Sequence, residues 1–339
     1  MKKSLLALAV LGAFAGAASA QSSVTVYGIV DMGLTTQDTG RTAGNDRQTG
    51  ITSGNQSASR IGFKGTEDLG NGLKANFVLE GGFKADDGTA TAGFDRVSTV
   101  GLSGGFGAVN MGKQPTAMKD GYDQIDPFGD GGTIAPISRV FFGGLQGNGR
   151  ISNSIKYSSN SFSGFNFVAD YGFGETVGST GNQSQFGLGV GYVNGPLNVQ
   201  FGYNSKDNTA GAVTTGDTTA AFLGATYNFN VVKLHAAYGD TKTDNNNVDS
   251  NKFRNYMLGV SAPVGAAGNI MASYTVNDNR LTNNADTKVA GIMYTYNLSK
   301  RTNLYTGYSK TSNDAGAKIN TTDLDASGSI FAVGVRHKF

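Results

Sequence analysis

From Ser23 onward, apolar and polar residues alternate with a period of two. Val24, Val26, Val30, Met32 and Leu34 share one parity, while Thr25, Tyr27 and Asp31 take the other. The pattern recurs in Leu73, Ala75, Phe77 and Leu79, in Phe165, Phe167, Ala169, Tyr171 and Phe173, and in Phe186, Leu188, Val190 and Tyr192. It continues through Leu197, Val199, Phe201 and Tyr203, through Leu234, Ala236 and Tyr238, and through Ile270, Ala272, Tyr274 and Val276. Successive side chains of a strand leave it on opposite sides. Each run therefore predicts a strand with one greasy face and one face of Asn, Gln, Ser, Thr, Lys, Asp and Gly.

The connections sort into two lengths. Short ones fall at 68–72, 104–106, 162–164, 194–195, 228–230, 264–267 and 299–300, and most use residues that tolerate tight turns. Long polar segments lie between them at 37–57, 85–93, 116–149, 175–183, 207–217, 241–252, 279–287 and 312–327. Fifteen connections predict sixteen antiparallel strands. Short turns at one end and long loops at the other form the pattern of an outer-membrane barrel. A soluble sandwich or propeller would also alternate. Against it, the strands are uniformly long and their apolar faces end in Tyr or Phe, as an aromatic girdle requires. The polar faces are Gly-rich and are expected to lack the large apolar residues of a second packed layer.

Composition sharpens this. Hydrophobic residues are 38% of the 339 and charged residues 15%, both low for a soluble domain. The 14 Tyr and 20 Phe nevertheless argue against disorder. No run of about 20 apolar residues follows the first twenty positions, which excludes a helical membrane protein. Lys2 and Lys3, the apolar stretch from Leu5 to Ala18 and the Ala18-Ser19-Ala20 site predict a cleaved export signal at 1–20. Without Lys2 and Lys3 the mature chain has 25 basic and 25 acidic residues, which argues against a nucleic-acid partner. With no cysteine, an exported chain has no disulfide framework, so stability must come from elsewhere.

Several motifs resemble Gram-negative general porins of the neisserial and burkholderial type. They are the opening strand at 21–31 (Q-S-S-V-T-V-Y-G-I-V-D), the strand and turn at 59–72 (S-R-I-G-F-K-G-T-E-D-L-G-N-G), and R-V-S-T-V-G-L at 96–102 with its Gly-Gly-Phe-Gly hairpin. The ending V-G-V-R-H-K-F at 333–339 is similar to their closing strand. The resemblance spans 21–339. It implies an all-β fold: a sixteen-stranded antiparallel transmembrane β-barrel with an inward-folded third loop, located in the cell outer membrane. It further implies a homotrimer, contact with outer-membrane lipid and lipopolysaccharide, and recognition of the terminal Phe339 by the outer-membrane assembly machinery. No cofactor is implied. Ions and small hydrophilic solutes would cross by passive diffusion.

The loop at 116–149 carries most of the chemistry. Pro115, Pro127 and Pro136 crowd this region, so it is not sheet, and a connection of this length is usually functional. In porins the third loop narrows the lumen, and the resemblance assigns that role to 116–149, with Asp120, Asp123, Asp126 and Asp130 as its acids. The family's Pro-Glu-Phe-Gly appears here as Asp126-Pro127-Phe128-Gly129-Asp130, without the Glu. Porins place arginines on the facing wall. Arg60 has the polar parity of a strand whose Ile61 and Phe63 point outward. Arg96 is expected inward with Val97 and Thr99 on lipid, and Arg150 inward with Ile151, Ile155 and Tyr157 on lipid. Lys64, Lys74, Lys113 and Lys156 are further lumen candidates, whereas Ile29 replaces an inward lysine found in some porins.

Acids on a loop facing bases on a wall set a transverse field that biases ion entry. The expected function is a water-filled, weakly anion-selective pore; a sugar- or anion-selective channel is the main alternative. Inward aromatics are few, chiefly Tyr27, Phe222 and Tyr305, which disfavours a sugar slide. A barrel-embedded hydrolase is a weaker alternative. Gly101-Leu102-Ser103-Gly104-Gly105 fits G-x-S-x-G, but no helix follows it, and neither His235 nor His337 has an evident nucleophile. The Asp244 to Asp249 cluster lacks the Gly and Glu of a calcium loop.

Overall fold

The computed structural model describes residues 23–40, 46–91, 93–129, 132–134, 137, 140–141, 149–175, 182–210, 213–246, 248–282, 285–317 and 326–339. The expected export signal at 1–20 lies outside these residues, as do Asp130 and Pro136. Seventeen strand segments and one helix near the lumen are of interest: β1 (Ser23–Asp38), β2 (Arg47–Ser53), β3 (Arg60–Gly70), β4 (Leu73–Gly82), β5 (Val97–Gly104), β6 (Gly107–Pro115) and α1 (Ala117–Ile125). The remaining strands are β7 (Arg150–Ser158), β8 (Phe165–Gly172), β9 (Gln185–Asn194), β10 (Leu197–Ala210), β11 (Val213–Asn228), β12 (Lys233–Asn245), β13 (Val248–Val264), β14 (Gly268–Asn279), β15 (Thr287–Asn297), β16 (Thr302–Asn313) and β17 (Ser327–Lys338).

Every pairing is antiparallel, and β17 returns to β1 from Ile29↔Lys338 to Asp38↔Ser329, which closes the barrel. β2 pairs with the upper part of β1 and β3 with its lower part. The two are halves of one stave, so seventeen segments make the sixteen staves expected. Closure leaves no sheet edge and satisfies the backbone within the wall, which is what a lipid environment demands of a chain without disulfides. The seam ends on Phe339, whose N–H donates to Gly28 O at 3.2 Å and whose carbonyl accepts the Gly28 N–H at 3.2 Å. Its ring lies where a Gly28 side chain would stand, 2.4 Å from that Cβ position.

The break in the second stave has a chemical cause. Asp31, on the lumen parity of β1, accepts the backbone N–H groups of Gln56 at 2.8 Å and Ser57 at 2.6 Å, and the Tyr305 hydroxyl at 2.6 Å. Those two amides are drawn to a buried carboxylate rather than to a neighbouring strand, and Gly54 turns the chain at φ 80°.

The outer face carries the apolar parity: Val24, Val100, Phe167, Leu223 and Leu258 are all exposed. Exposed Tyr157, Tyr227 and Tyr296 sit near the short turns, and Tyr238, Tyr256, Tyr274 and Tyr308 toward the long loops, giving two aromatic girdles.

Two expectations change. Segments 207–217 and 241–252 are largely strand: Asp207 pairs with Asp217 and Thr241 with Phe253. These staves continue past the apolar belt, where both faces are polar and the period-two signal vanishes. The lumen parity also carries large apolar residues after all, namely Phe222, Met257, Met271 and Met293, all buried. They pack against the inward loop, not against a second sheet.

Candidate functional site

α1 forms where Thr116 caps it, its hydroxyl accepting the Lys119 N–H at 3.2 Å, with Asp120 in the first turn, and it stops at Asp126 before Pro127. Met118, Tyr122 and Ile125 recur on one face and are buried against Ala220, Phe222, Ala237 and Met257 of the wall, joined by Ile137 and Phe141. Full burial of each such side chain is worth about 2 kcal/mol, so this face fixes the loop to the inside of β9 to β12. Backbone contact is close. A Cβ at Gly202 would stand 2.9 Å from Met118 Cα, so only glycine lets the helix lie this near. Farther on, Ile134 packs with Met271, Met293, Tyr305 and Ala332, and the Thr133 N–H donates to Asn55 O at 2.9 Å. The loop thus follows the wall to the break in the second stave.

The acids of this segment have separate fates. Asp120 pairs with Lys156, whose Nζ also donates to Pro115 O at 2.9 Å. Asp123 pairs with Lys119 at 2.7 Å across one helical turn. Asp126 is buried and turned into the loop, accepting the N–H groups of Phe128 at 2.9 Å and Ile137 at 2.7 Å. Burial pushes its carboxyl up to about 7, against the pull of those two donors. It braces the loop and is not presented to water.

On the facing half of the barrel, β3 to β5 gather charge around Glu80. Arg96 Nε is 2.7 Å from Glu80 Oε1, Arg60 Nη1 is 4.0 Å away, and the Tyr27 hydroxyl donates to Oε2 at 3.0 Å. Lys64 Nζ stands 5.3 Å from the Tyr27 ring centre, a cation–π geometry. Glu80 went unnoticed in the sequence, although it closes the polar parity of the run from Leu73 and neighbours the Arg60 stave in register.

Three details differ from expectation. Glu80 pairs with Val97 and Val78 with Thr99, so Val97 and Thr99 face the lumen while Val100 and Leu102 meet lipid. Arg96 reaches Glu80 because it precedes the strand: its own N–H donates to Glu80 O at 3.1 Å. Lys113 pairs with Ser98, which pairs with Leu79, and so shares the outer parity of Met111; Asn110 and Gln114 hold the lumen side of β6. Its expected place in the lumen is corrected. Asn153 takes φ 48° where the β6–β7 register slips, and Ile151, expected on lipid, is buried beside Gly172. The alternation used for Arg150 is broken at that bulge. Arg150 lines a cleft of about 450 Å³ with Glu175, Gln185, Lys206 and Asp207, three staves round from Glu80.

The inward aromatics Phe222 and Tyr305 are buried beneath the loop, and Ser103 lies in β5 at a hairpin. Asp244 and Asp249 both face Lys242, at 3.8 and 2.8 Å. Among the described residues no three His, Cys, Asp or Glu side chains gather as a metal site.

Comparison with known proteins gives a consistent answer. The family model described as Gram-negative porin matches residues 7–316. Outer membrane porin protein 32 of Delftia acidovorans is 40% identical over 99% of this chain and 95% of its own length. An outer membrane porin protein of Bordetella pertussis is 36% identical across all of both chains. Among solved structures, an anion-selective porin from Comamonas acidovorans superposes with a TM-score of 0.84 at 34% identity, covering 94% of this chain and all of that one.

Proposed function

The chain belongs to the Gram-negative porin family, a channel of the outer membrane and not an enzyme, and from that membership we propose that it passes small hydrophilic solutes with a bias toward anions. One observation carries the bias: Arg60, Arg96 and Lys64 gather on the wall around Glu80, across the lumen from α1. An anion entering the narrowed water column meets this cationic excess, while Asp120 and Asp123 are already paired with lysines on the loop side. Charge facing charge also orients water across the passage, so solutes that cannot replace those hydrogen bonds enter less readily. Diffusion down a gradient needs no cofactor. The anion selectivity of the Comamonas structure, similar in sequence over nearly its whole length, supports the same reading.

The same reading takes residues 1–20 as the export signal and 21–339 as the barrel, with 116–149 as the constriction loop. Phe339, on the closing seam, serves as the assembly signal, and lipopolysaccharide surrounds the outer rim. For a homotrimer, the outer face supplies a candidate contact. Exposed tyrosines ring β12, β13, β14 and β16, whereas the exposed outward side chains of β3 to β5 are aliphatic, Ile61, Val100 and Leu102. An aliphatic face without the interfacial tyrosines that anchor a lipid-facing wall fits a face turned to another barrel.

A planar bilayer under a salt gradient tests the function directly. Stepwise conductance with a reversal potential on the anion side is expected. Folded, heat-modifiable protein that gives no conductance steps refutes the channel, and a cation-side potential refutes the role of the arginine cluster.

A further inference from the structure

Each end of α1 meets a wall side chain whose chemistry matches the pole it meets. At the start, Asp170 Oδ2 accepts the Ala117 N–H at 2.5 Å, one of the first-turn amides that the helix itself leaves unpaired. A side chain at Gly187 would stand 2.6 Å from Asp170 Oδ1, so a bare glycine opposite makes room for the carboxylate. Its cross-strand neighbour Lys156 reaches past it to Pro115 O and Asp120. At the other end, His235 Nδ1 lies 2.7 Å from Ile125 O and its Nε2 lies 3.0 Å from Ser261 Oγ. The helix N-terminus carries partial positive charge and the C-terminus partial negative charge, so an anion at the first and a cation at the second both stabilise it.

We propose that Asp170 and His235 are positioning residues of the channel: they hold α1 against the wall by its two poles and so set the width of the aqueous passage, with His235 making that hold depend on pH. This rests on the reading that the loop borders the passage. A carbonyl only accepts, so Nδ1 carries the proton in the hydrogen bond to Ile125. In the neutral ring Nε2 accepts from the Ser261 hydroxyl; in the charged ring it donates to the same oxygen. Both charge states therefore keep both hydrogen bonds. Protonation adds only a positive charge at the negative pole of the helix.

The charges around the ring are few. Lys233 stands two residues away on the same strand and repels a charged ring, and Asp126 follows Ile125 and attracts one when ionised; Asp123 in the last turn is paired with Lys119. On the flanking strands the register partners are Thr226 and Gly259, which carry no charge. The hold therefore tightens as pH falls and the ring takes up its second proton.

Single-channel recording of the full-length folded protein in planar bilayers at pH 5 and pH 8 tests this. Transient closures of the wild-type channel are expected to be about fivefold rarer at pH 5, the effect of one charge at a partly buried helix end. His235→Gln keeps an amide donor for Ile125 O but does not titrate, and should lose the pH step. His235→Ala should raise closures at both pH values. Asp170→Asn should raise closures at both pH values and keep the step. Wild-type closures that do not change with pH overturn the role of His235 without any variant. So does a full step in H235Q, which would assign the titration to Asp126. Asp170→Asn channels that close no more often than wild type overturn the role of Asp170. A complete absence of conductance would count against the channel reading itself.

Discussion

Replacing Glu80 by Gln tests how the wall chooses ions. Glu80 stands among Arg60, Arg96 and Lys64, and E80Q removes its negative charge and so raises the net charge of this tier by one. Glutamine keeps the shape and one oxygen to accept from Arg96, while its NH2 can donate to the Tyr27 hydroxyl oxygen in place of the second carboxylate oxygen. For an ion passing at about 8 Å in water, one added charge is worth about 0.5 kcal/mol, and the salt of a typical recording buffer roughly halves that. An anion gains this energy and a cation loses it, so the permeability ratio should move about two- to sixfold toward anions. Only 11% of the Glu80 side chain is exposed, which limits screening and makes twofold the lower bound. The assay is the reversal potential across a bilayer under a tenfold potassium chloride gradient, wild type beside E80Q. An unchanged ratio, or a shift toward cations, would refute the claim that this cluster governs entry.

Three further outcomes are expected. Gly202→Val places a side chain against Met118 Cα, an overpacking cost of about 1–3 kcal/mol, and should displace α1; altered single-channel conductance with retained heat-modifiability is the readout, and wild-type conductance would count against the close seat. Asp126 has its carboxyl raised above the unfolded value of 3.8 to about 7, so the folded loop holds the proton more tightly. Its contribution is therefore full below pH 4 and is lost as pH rises through 7. Amide exchange in the loop should quicken from pH 5 to pH 8 beyond the intrinsic rate, and Asp126→Asn should remove that excess. Asp31→Ala leaves the Gln56 and Ser57 amides without their acceptor, costing about 2–3 kcal/mol; a lower temperature of heat modification is expected, and an unchanged one would show that the break in the second stave is held by other means.

The barrel could be read from the sequence because its physics is periodic. Val24, Phe167 and Leu223 repeat every second residue wherever lipid lies on one side and water on the other, and that condition holds for the middle of every stave. Where it fails, the reading fails too. Above the belt, β12 and β13 run on through Thr241, Lys242 and Lys252 with water on both faces, so no alternation marks them as strand. At Asn153 one extra residue reverses the phase, and Ile151 turns inward. Arg96 stands outside β5 and follows the bend of its own loop rather than the parity of Val97. The seat of α1 was hidden for another reason: Met257, Met271 and Met293 face the lumen only because a loop covers them, and nothing local to those strands announces the loop. Asp170 and His235 were equally silent, since each acts on a backbone group more than fifty residues away in sequence.

The two halves of the wall divide the work between them. From β9 round to β16 the lumen side is covered by the loop, on apolar residues and glycines that let backbone meet backbone. Several buried polar side chains of that half, among them Thr241, Thr275, Asn255 and Asn277, are uncharged. α1 does not reach β3 to β5, and there the largely buried Arg60, Arg96 and Glu80 and the exposed Lys64 border the passage. The same staves carry the aliphatic outward face, Ile61, Val100 and Leu102, against which another barrel would pack. A charged cluster needs its geometry fixed if a shift of a few ångströms is not to change its field, and backing those staves with protein instead of fluid lipid would supply that rigidity. Selectivity and association are thereby coupled through one set of strands. A monomeric form of the protein should consequently conduct with a broader spread of reversal potentials than the assembled one, measured channel by channel, and equal spreads would uncouple the two.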